Sequence, residues 1–178
     1  KAGTNGGARV VALSSTGHRI SDVDLEDPNF ETSDYHKWVA YGRAKTANAL
    51  FALEVDKRYQ GKGIRAFSVH PGGIMTGLQR DMDPEEFKTL GWVDENGNVR
   101  DGFKTPEQGA ATATWCATAP ELEGQGGFYC EDCQRAEPTD LETMSKTHRG
   151  VIPHAQDPAT ASALWTKSEE MVGERVPA

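Results

Sequence analysis

The chain has little cysteine, three residues in 178. An odd and small number disfavours a secreted disulfide scaffold and suits a reducing compartment, so a cytoplasmic location is expected. No apolar run approaches the roughly 20 residues needed to cross a bilayer, and no apolar stretch near Lys1 reads as a secretory signal. Positive charge is also scarce. Lys and Arg number 19 against 27 Asp and Glu, a formal net charge of −8. That balance argues against a nucleic-acid binder, which clusters Lys and Arg against phosphates. There are no repeats and no low-complexity tract. What is present, 37% hydrophobic and 26% charged residues, fits one folded domain with a real core.

Along the chain the hydrophobic period changes several times. Residues 1–8 hold Gly3, Gly6 and Gly7 with no period and read as a loop. Arg9 to Ser15 is a short, mostly apolar run and reads as a buried parallel strand. Thr16 to Asp34 is polar and reads as a long loop, a kind of segment that is often functional. From about Ser33 to Tyr59, Val39, Ala40, Ala44, Ala47, Leu50, Phe51, Leu53 and Val55 fit a helix with a broad apolar face, stopped by Gly61 and Gly63. Ile64 to His70 reads as a second strand, cut off by Pro71-Gly72-Gly73. Strand, helix and strand make a βαβ unit.

Thr76 to Thr89 reads as one or two helices interrupted at Pro84, and Gly91 to Gly102 as a surface excursion. Thr105 and Pro106 look like the cap and first residue of a helix running to about Ala119. Gly127 to Cys130 reads as a short third strand and Pro138 to His154 as mostly irregular. Asp157-Pro158 begins a last amphipathic helix with Ala161, Leu164, Trp165 and Met171.

Tyr41 and Lys45 stand at i and i+4 on the first long helix and so share a face. A phenol is a weak base at neutral pH, and a neighbouring ammonium favours the phenolate. The pair can therefore exchange a proton. Its context sharpens this. The helix follows a strand ending in Ser14-Ser15 and precedes one ending in Pro71-Gly72-Gly73-Ile74-Met75-Thr76. In open α/β sheets the active crevice lies outside the carboxyl ends of the strands, so three polar signals converge at one sheet edge.

On these residues the sequence resembles the short-chain dehydrogenase/reductase family. Val10–Ser15 looks like its strand-and-serine motif, Tyr41-x-x-x-Lys45 like its active-site motif, and Pro71-Gly72-x-Ile74-x-Thr76 like its nicotinamide-side loop. The stretch between Ser15 and Tyr41, with Asp24-Leu25, and Trp38 are similar to the retinol-dehydrogenase-like branch. The resemblance implies an α/β fold, a Rossmann-like parallel sheet of about three strands with flanking helices. It implies NAD or NADP as cofactor and a small-molecule alcohol or carbonyl as substrate. Tyr41 would be the general acid/base and Ser15 would hydrogen-bond the substrate oxygen. Lys45 would tune Tyr41 and bind the nicotinamide ribose. Pro71, Gly72, Ile74 and Thr76 would contact the nicotinamide end.

The departures from the family matter equally. Its Gly-rich turn after the first strand, its Asn-Ala-Gly segment and its NAD-or-NADP-selecting residue have no counterpart here. Gly3-Thr-Asn-Gly6-Gly7 precedes a strand instead of following one. The expectation is therefore a C-terminal half, residues 1–178 forming one partial catalytic domain that requires an N-terminal dinucleotide-binding half. Its strand at Arg9–Ser15 would present an unpaired edge. A homodimer through the long helix is a further expectation. Alternative readings are a nucleotide-sugar epimerase or dehydratase using the same Tyr/Lys pair, and a non-catalytic fragment that binds a partner.

Other residues carry bland readings. Cys130-Glu-Asp-Cys133 lacks the second pair a structural zinc site needs, so no metal is expected. Cys116 reads as a packed small hydrophobe. His70 reads as structural, and His18, His36, His148 and His154 show no ligand spacing. Tyr35 rivals Tyr41 but has Val39, not Lys, four residues on. Asp81, Asp83, Glu85 and Glu86 read as a solvated face. Trp92, Phe103 and Met75 suit a substrate pocket or a core equally.

Overall fold

The computed structural model describes residues 7–176; the loop reading for residues 1–6 lies outside the described residues. The chain folds around a four-stranded sheet in the order β1-β2-β3-β4. Strands β1 (Ala8–Leu13) and β2 (Ile64–His70) run parallel, from Ala8 opposite Ile64 to Leu13 opposite Val69. Strand β3 (Phe128–Glu131) lies parallel to β2, and β4 (Gln134–Arg135) lies antiparallel to β3. Helix α1 (Lys37–Tyr59) connects β1 to β2. Between β2 and β3 come the short α2 (Pro84–Thr89) and α3 (Pro106–Thr118). Helices α4 (Leu141–Thr147) and α5 (Pro158–Val172) follow the sheet. This is the expected α/β architecture.

Strand alternation divides the core between the two sheet faces. Phe67, Val69, Phe128 and Cys130 pack with Val11 against Cys116 and Ala119 at the end of α3. Their neighbours point the other way. Ala66, Val10 and Ala12 pack with Ala52 and Val55 of α1 and Trp165 of α5, while Tyr129 packs with Ala49 of α1. The exit of α1 is tied to β2 by Asp56, whose two oxygens accept from Arg65 at 2.8 Å each and from the Ala66 amide at 3.0 Å. No helix among the described residues is long and apolar enough to cross a membrane.

The boundaries depart from expectation at informative places. β1 ends at Leu13, not Ser15, because the Ser14 hydroxyl donates to the Lys45 carbonyl at 2.7 Å and Ser15 opens a 3₁₀ helix over Thr16–Ile20. The first part of the expected loop is thus helical. Helix α1 begins at Lys37, not Ser33. The Asp27 carboxylate holds Ser33 outside the helix, accepting from its amide and hydroxyl at 2.8 Å each, and also from Glu31 and Thr32.

Pro84 starts α2 instead of interrupting a helix; Asp83 caps it by accepting from the Glu85 amide, and a proline at the first helical position sacrifices no hydrogen bond. The stretch expected to be irregular contains α4, capped by Asp140, with Met144 as its buried residue. One apolar contact leaves no period to read. Asp132 and Cys133 both take positive φ, 47° and 54°, as a two-residue hairpin turn demands. They fold the chain back into β4, so Cys130 is buried in a strand while Cys133 is exposed at the turn.

Candidate active site

Parallel register brings the carboxyl ends of β1 and β2 side by side. The Ser14 amide donates to the Val69 carbonyl at 2.8 Å, which sets Ser14-Ser15 beside His70-Pro71. Three of the sequence-derived residues gather at the β1 end. The Ser15 hydroxyl accepts from the Gly17 amide at 3.0 Å and so caps the 3₁₀ turn. That turn lies against α1 at Tyr41. A Cβ placed on Gly17 would fall 2.5 Å from Tyr41 Cε1 and 3.5 Å from Ser15 Oγ, so the Tyr41 ring and the Ser15 hydroxyl flank one point. Gly42 permits the same approach from the helix side, since a Cβ there would press on Ile20, the Ser21 amide and the Gly17 carbonyl.

Lys45 completes the group. Its Nζ lies 5.5 Å from the centroid of the Tyr41 ring and donates to the Leu13 carbonyl at 3.2 Å. Burial pushes the Lys45 ammonium below its ordinary pKa. Asn48 also donates to the Leu13 carbonyl, at 2.9 Å. Tyr35, the rival, is 69% exposed on the preceding loop and pairs with Phe30.

Pro71, Gly72, Ile74 and Thr76 occupy the loop leaving β2. Gly72 has φ +103°, and a Cβ there would strike the Lys104 side chain; this position requires glycine. The Lys104 amide donates to the Gly73 carbonyl at 2.8 Å, and Ile74 bridges Lys104 and packs over Gly109 at the start of α3. Thr76 caps a short 3₁₀ turn, its hydroxyl accepting from the Leu78 amide at 3.2 Å. The loop meets the Tyr41 group through aromatic side chains: Phe103 lies beside Gly73, and Trp92 and Trp38 continue the series to Tyr41.

Several residues at this edge escape sequence reasoning. His18 is fully buried; its Nδ1 lies 2.7 Å from the Ser15 carbonyl and its Nε2 accepts from the Ile152 amide at 3.1 Å. The second bond makes Nε2 the acceptor, so Nδ1 carries the proton and donates to Ser15. Burial lowers the His18 pKa to about 4. Arg43 reaches from α1 to the Asp27 carbonyl and to Asp24 and holds the preceding loop. Glu86, expected on a solvated face, accepts from Lys37 and from the Trp38 indole at 2.6 and 3.1 Å. Only the spacing Ser15-x-x-His18 was visible beforehand, and nothing in it distinguishes a buried histidine. His70 ends β2 with a buried, unpaired Nδ1, and burial lowers its pKa to about 4. Among the described residues, no three His, Cys, Asp or Glu are grouped to hold a metal ion.

No family model matches the chain. It is 43% identical over 162 residues to a Streptomyces lividans protein named "Probable oxidoreductase", covering 90% of this chain and 54% of that protein. It is 44% identical over 166 residues to the short-chain dehydrogenase/reductase prx1 of Penicillium rubens, covering 93% and 47%. It is 33% identical over 171 residues to Homo sapiens retinol dehydrogenase 14, covering 93% and 44%. Among solved structures, an uncharacterized protein from Mycobacterium paratuberculosis superposes with a TM-score of 0.60 at 25% identity, covering 97% of this chain and 53% of that one. The chain spans about half the length of the curated relatives it matches. Over that span the chain is similar in sequence to proteins named short-chain dehydrogenase/reductase and retinol dehydrogenase.

Proposed function

We propose that this chain carries the proton-transfer half of an NAD(P)-dependent oxidoreductase interconverting a small-molecule alcohol and carbonyl. The observation that supports it is the grouping of the Ser15 hydroxyl, the Tyr41 ring and the Lys45 ammonium around Gly17 and the end of β1. In the reducing direction the Tyr41 hydroxyl donates a proton to the carbonyl oxygen, and in the oxidising direction the phenolate takes it back. The Lys45 charge stabilises that phenolate. Ser15 Oγ accepts from Gly17, and its own hydrogen is directed to the substrate oxygen. One Lys45 hydrogen is committed to the Leu13 carbonyl, and its other donors serve the nicotinamide ribose.

The residues present fit the nicotinamide end of the cofactor. The loop with Gly72 at positive φ stands at the carboxyl edge, so Pro71, Gly72, Ile74 and Thr76 would hold that end with Lys45. Bound there, the nicotinamide supplies or accepts the hydride. A Gly-rich strand-to-helix turn that would cradle the pyrophosphate is not found among the described residues. We assign that cradle to a dinucleotide-binding half outside this chain, and residues 1–178 to one partial catalytic domain. β1 pairs on one side among the described residues, and its Leu13 is 52% exposed, which is where added strands would dock. Self-association through α1 would have to leave α5 in place, because Phe51 and Tyr59 of α1 pack on Trp165.

The test is turnover by a polypeptide of the relatives' length that contains this chain. NADH or NADPH consumed one for one with a carbonyl supports the reading. A nucleotide sugar inverted with no net change in the cofactor would indicate the epimerase instead, and no chemistry at all a binding module.

A further inference from the structure

The 3₁₀ turn after β1 holds Ser15 with one hydrogen bond more than the turn itself supplies. The His18 amide donates to the Ser15 carbonyl at 3.0 Å, which closes the turn. The Gly17 amide donates to the Ser15 hydroxyl oxygen at 3.0 Å and fixes the side chain. The His18 ring adds a third bond, from Nδ1 to the same Ser15 carbonyl at 2.7 Å. That carbonyl already has a partner, so the ring is not needed to satisfy it. A second donor to one carbonyl adds direction: it fixes the peptide plane that begins at the Ser15 Cα.

The ring is itself anchored from the far end of the chain. The Ile152 amide donates to Nε2 at 3.1 Å, which leaves the proton on Nδ1, where the Ser15 carbonyl takes it. The His18 carbonyl accepts from the Thr46 hydroxyl of α1 at 3.1 Å, and His154 Nε2 lies 2.9 Å from it. Tyr129 is tilted against the ring with centroids 5.1 Å apart, and the His154 ring stands edge-on at 6.4 Å. His18 is fully buried, so its effect on a substrate has to pass through Ser15.

An apolar side chain of similar size would fill the same space at no polar cost. A buried imidazole has two nitrogens to satisfy. Here one serves the turn that carries Ser15, and the other serves Ile152, which stands just before the 3₁₀ turn at Pro153–Gln156.

We infer that His18 is a positioning residue for Ser15. Its ring, set in one tautomer by the Ile152 amide, orients the Ser15 hydroxyl toward the substrate oxygen and makes the segment around Ile152 part of the support of the site. The inference rests on Ser15 as the residue that meets that oxygen.

The test uses a polypeptide of the relatives' length that contains this chain. His18→Asn keeps a donor at the position of Nδ1 and gives up the Ile152 bond. His18→Gln reaches Ile152 with its amide oxygen and gives up the Ser15 bond. Each variant loses one bond, so both should melt lower by similar amounts. Only the Gln variant frees Ser15. Its kcat should fall about ten- to hundredfold, and that of the Asn variant no more than about threefold, with nucleotide affinity unchanged in both. Combined with Ser15→Ala, His18→Gln should cause no further loss, because the hydroxyl that it misplaces is gone. A purely structural histidine would slow both variants alike and would slow the Ser15→Ala enzyme again. Either result overturns the inference and leaves the Tyr41 reading standing. Absence of nicotinamide-dependent turnover in the unsubstituted polypeptide removes the oxidoreductase reading instead. The inference is then decided by the Gly17 amide NMR signal, which reports the Ser15 hydroxyl and should move in the Gln variant and hold in the Asn variant; the reverse overturns it. Should either variant fail to fold, the ¹⁵N spectrum of the unsubstituted His18 ring decides: a proton on Nδ1 supports the inference and a proton on Nε2 overturns it.

Discussion

Gly17 and Tyr41 are fitted to each other so closely that a single methyl group separates function from obstruction. A Cβ on Gly17 would stand 2.5 Å from Tyr41 Cε1 and 2.8 Å from Cδ1. Gly17→Ala must therefore turn the phenol ring or lift the 3₁₀ helix that carries Ser15. Overpacking of this kind costs about 1–3 kcal/mol, and displacing a reacting group by about 1 Å lowers rate on the order of a hundredfold. Thermal melts and steady-state turnover should show both effects. Gly61→Ala, where nothing lies within 4 Å, is the control and should show neither.

Lys45 tests the electrostatic part of the account. Its ammonium is held below the usual lysine range by burial, yet it stays within reach of the Tyr41 ring and the Leu13 carbonyl. Lys45→Met keeps the stem and deletes the charge. Cofactor affinity and kcat should both fall, kcat by about a hundredfold, measured by cofactor titration and initial rates. Loss of neither would reduce Lys45 to a helix-face cation.

His18 links acidity to the same turn. Its folded pKa of about 4 lies below the ordinary histidine value of 6.5. The unfolded chain therefore binds more protons between those values, and stability falls as pH is lowered through the window. The contribution is complete above pH 6.5, is worth roughly 3 kcal/mol, and is lost by about pH 4. Protonation would put a second N–H on Nε2, facing the Ile152 amide that now donates to it. A histidine NMR titration should leave the His18 ring neutral down to about pH 4, with the proton on Nδ1, while the melting temperature declines across the same interval.

How much of this was legible beforehand follows from the reach of each interaction. β2, α3 and α5 are set by local signals, an apolar run or a cap with proline, and they stand within a residue or two of expectation. Tyr41 and Lys45 sit one helical turn apart, so their shared face was readable from spacing alone. Ser15 and the 71–76 loop were placed at the right edge because strand ends were readable. What was hidden depends on partners far away in sequence. The cage around Asp27 decides where α1 begins, and Glu86 becomes a tether only because Lys37 and Trp38 lie 49 and 48 positions before it. His18 meets Ile152 across 134 positions. The Asp132-Cys133 turn was missed for another reason. Both residues take positive φ without the Asn-Gly or Asp-Gly pair that announces such a hairpin.

The central claim is that the Tyr41 hydroxyl transfers the proton, and Tyr41→Phe measures it most directly. The substitution keeps the ring against Gly17 and Trp38 and removes one oxygen. In a polypeptide of the relatives' length, folding and nucleotide affinity should be unchanged while kcat falls by two or more orders of magnitude. A near-normal kcat in that variant would contradict the account and return attention to Tyr35.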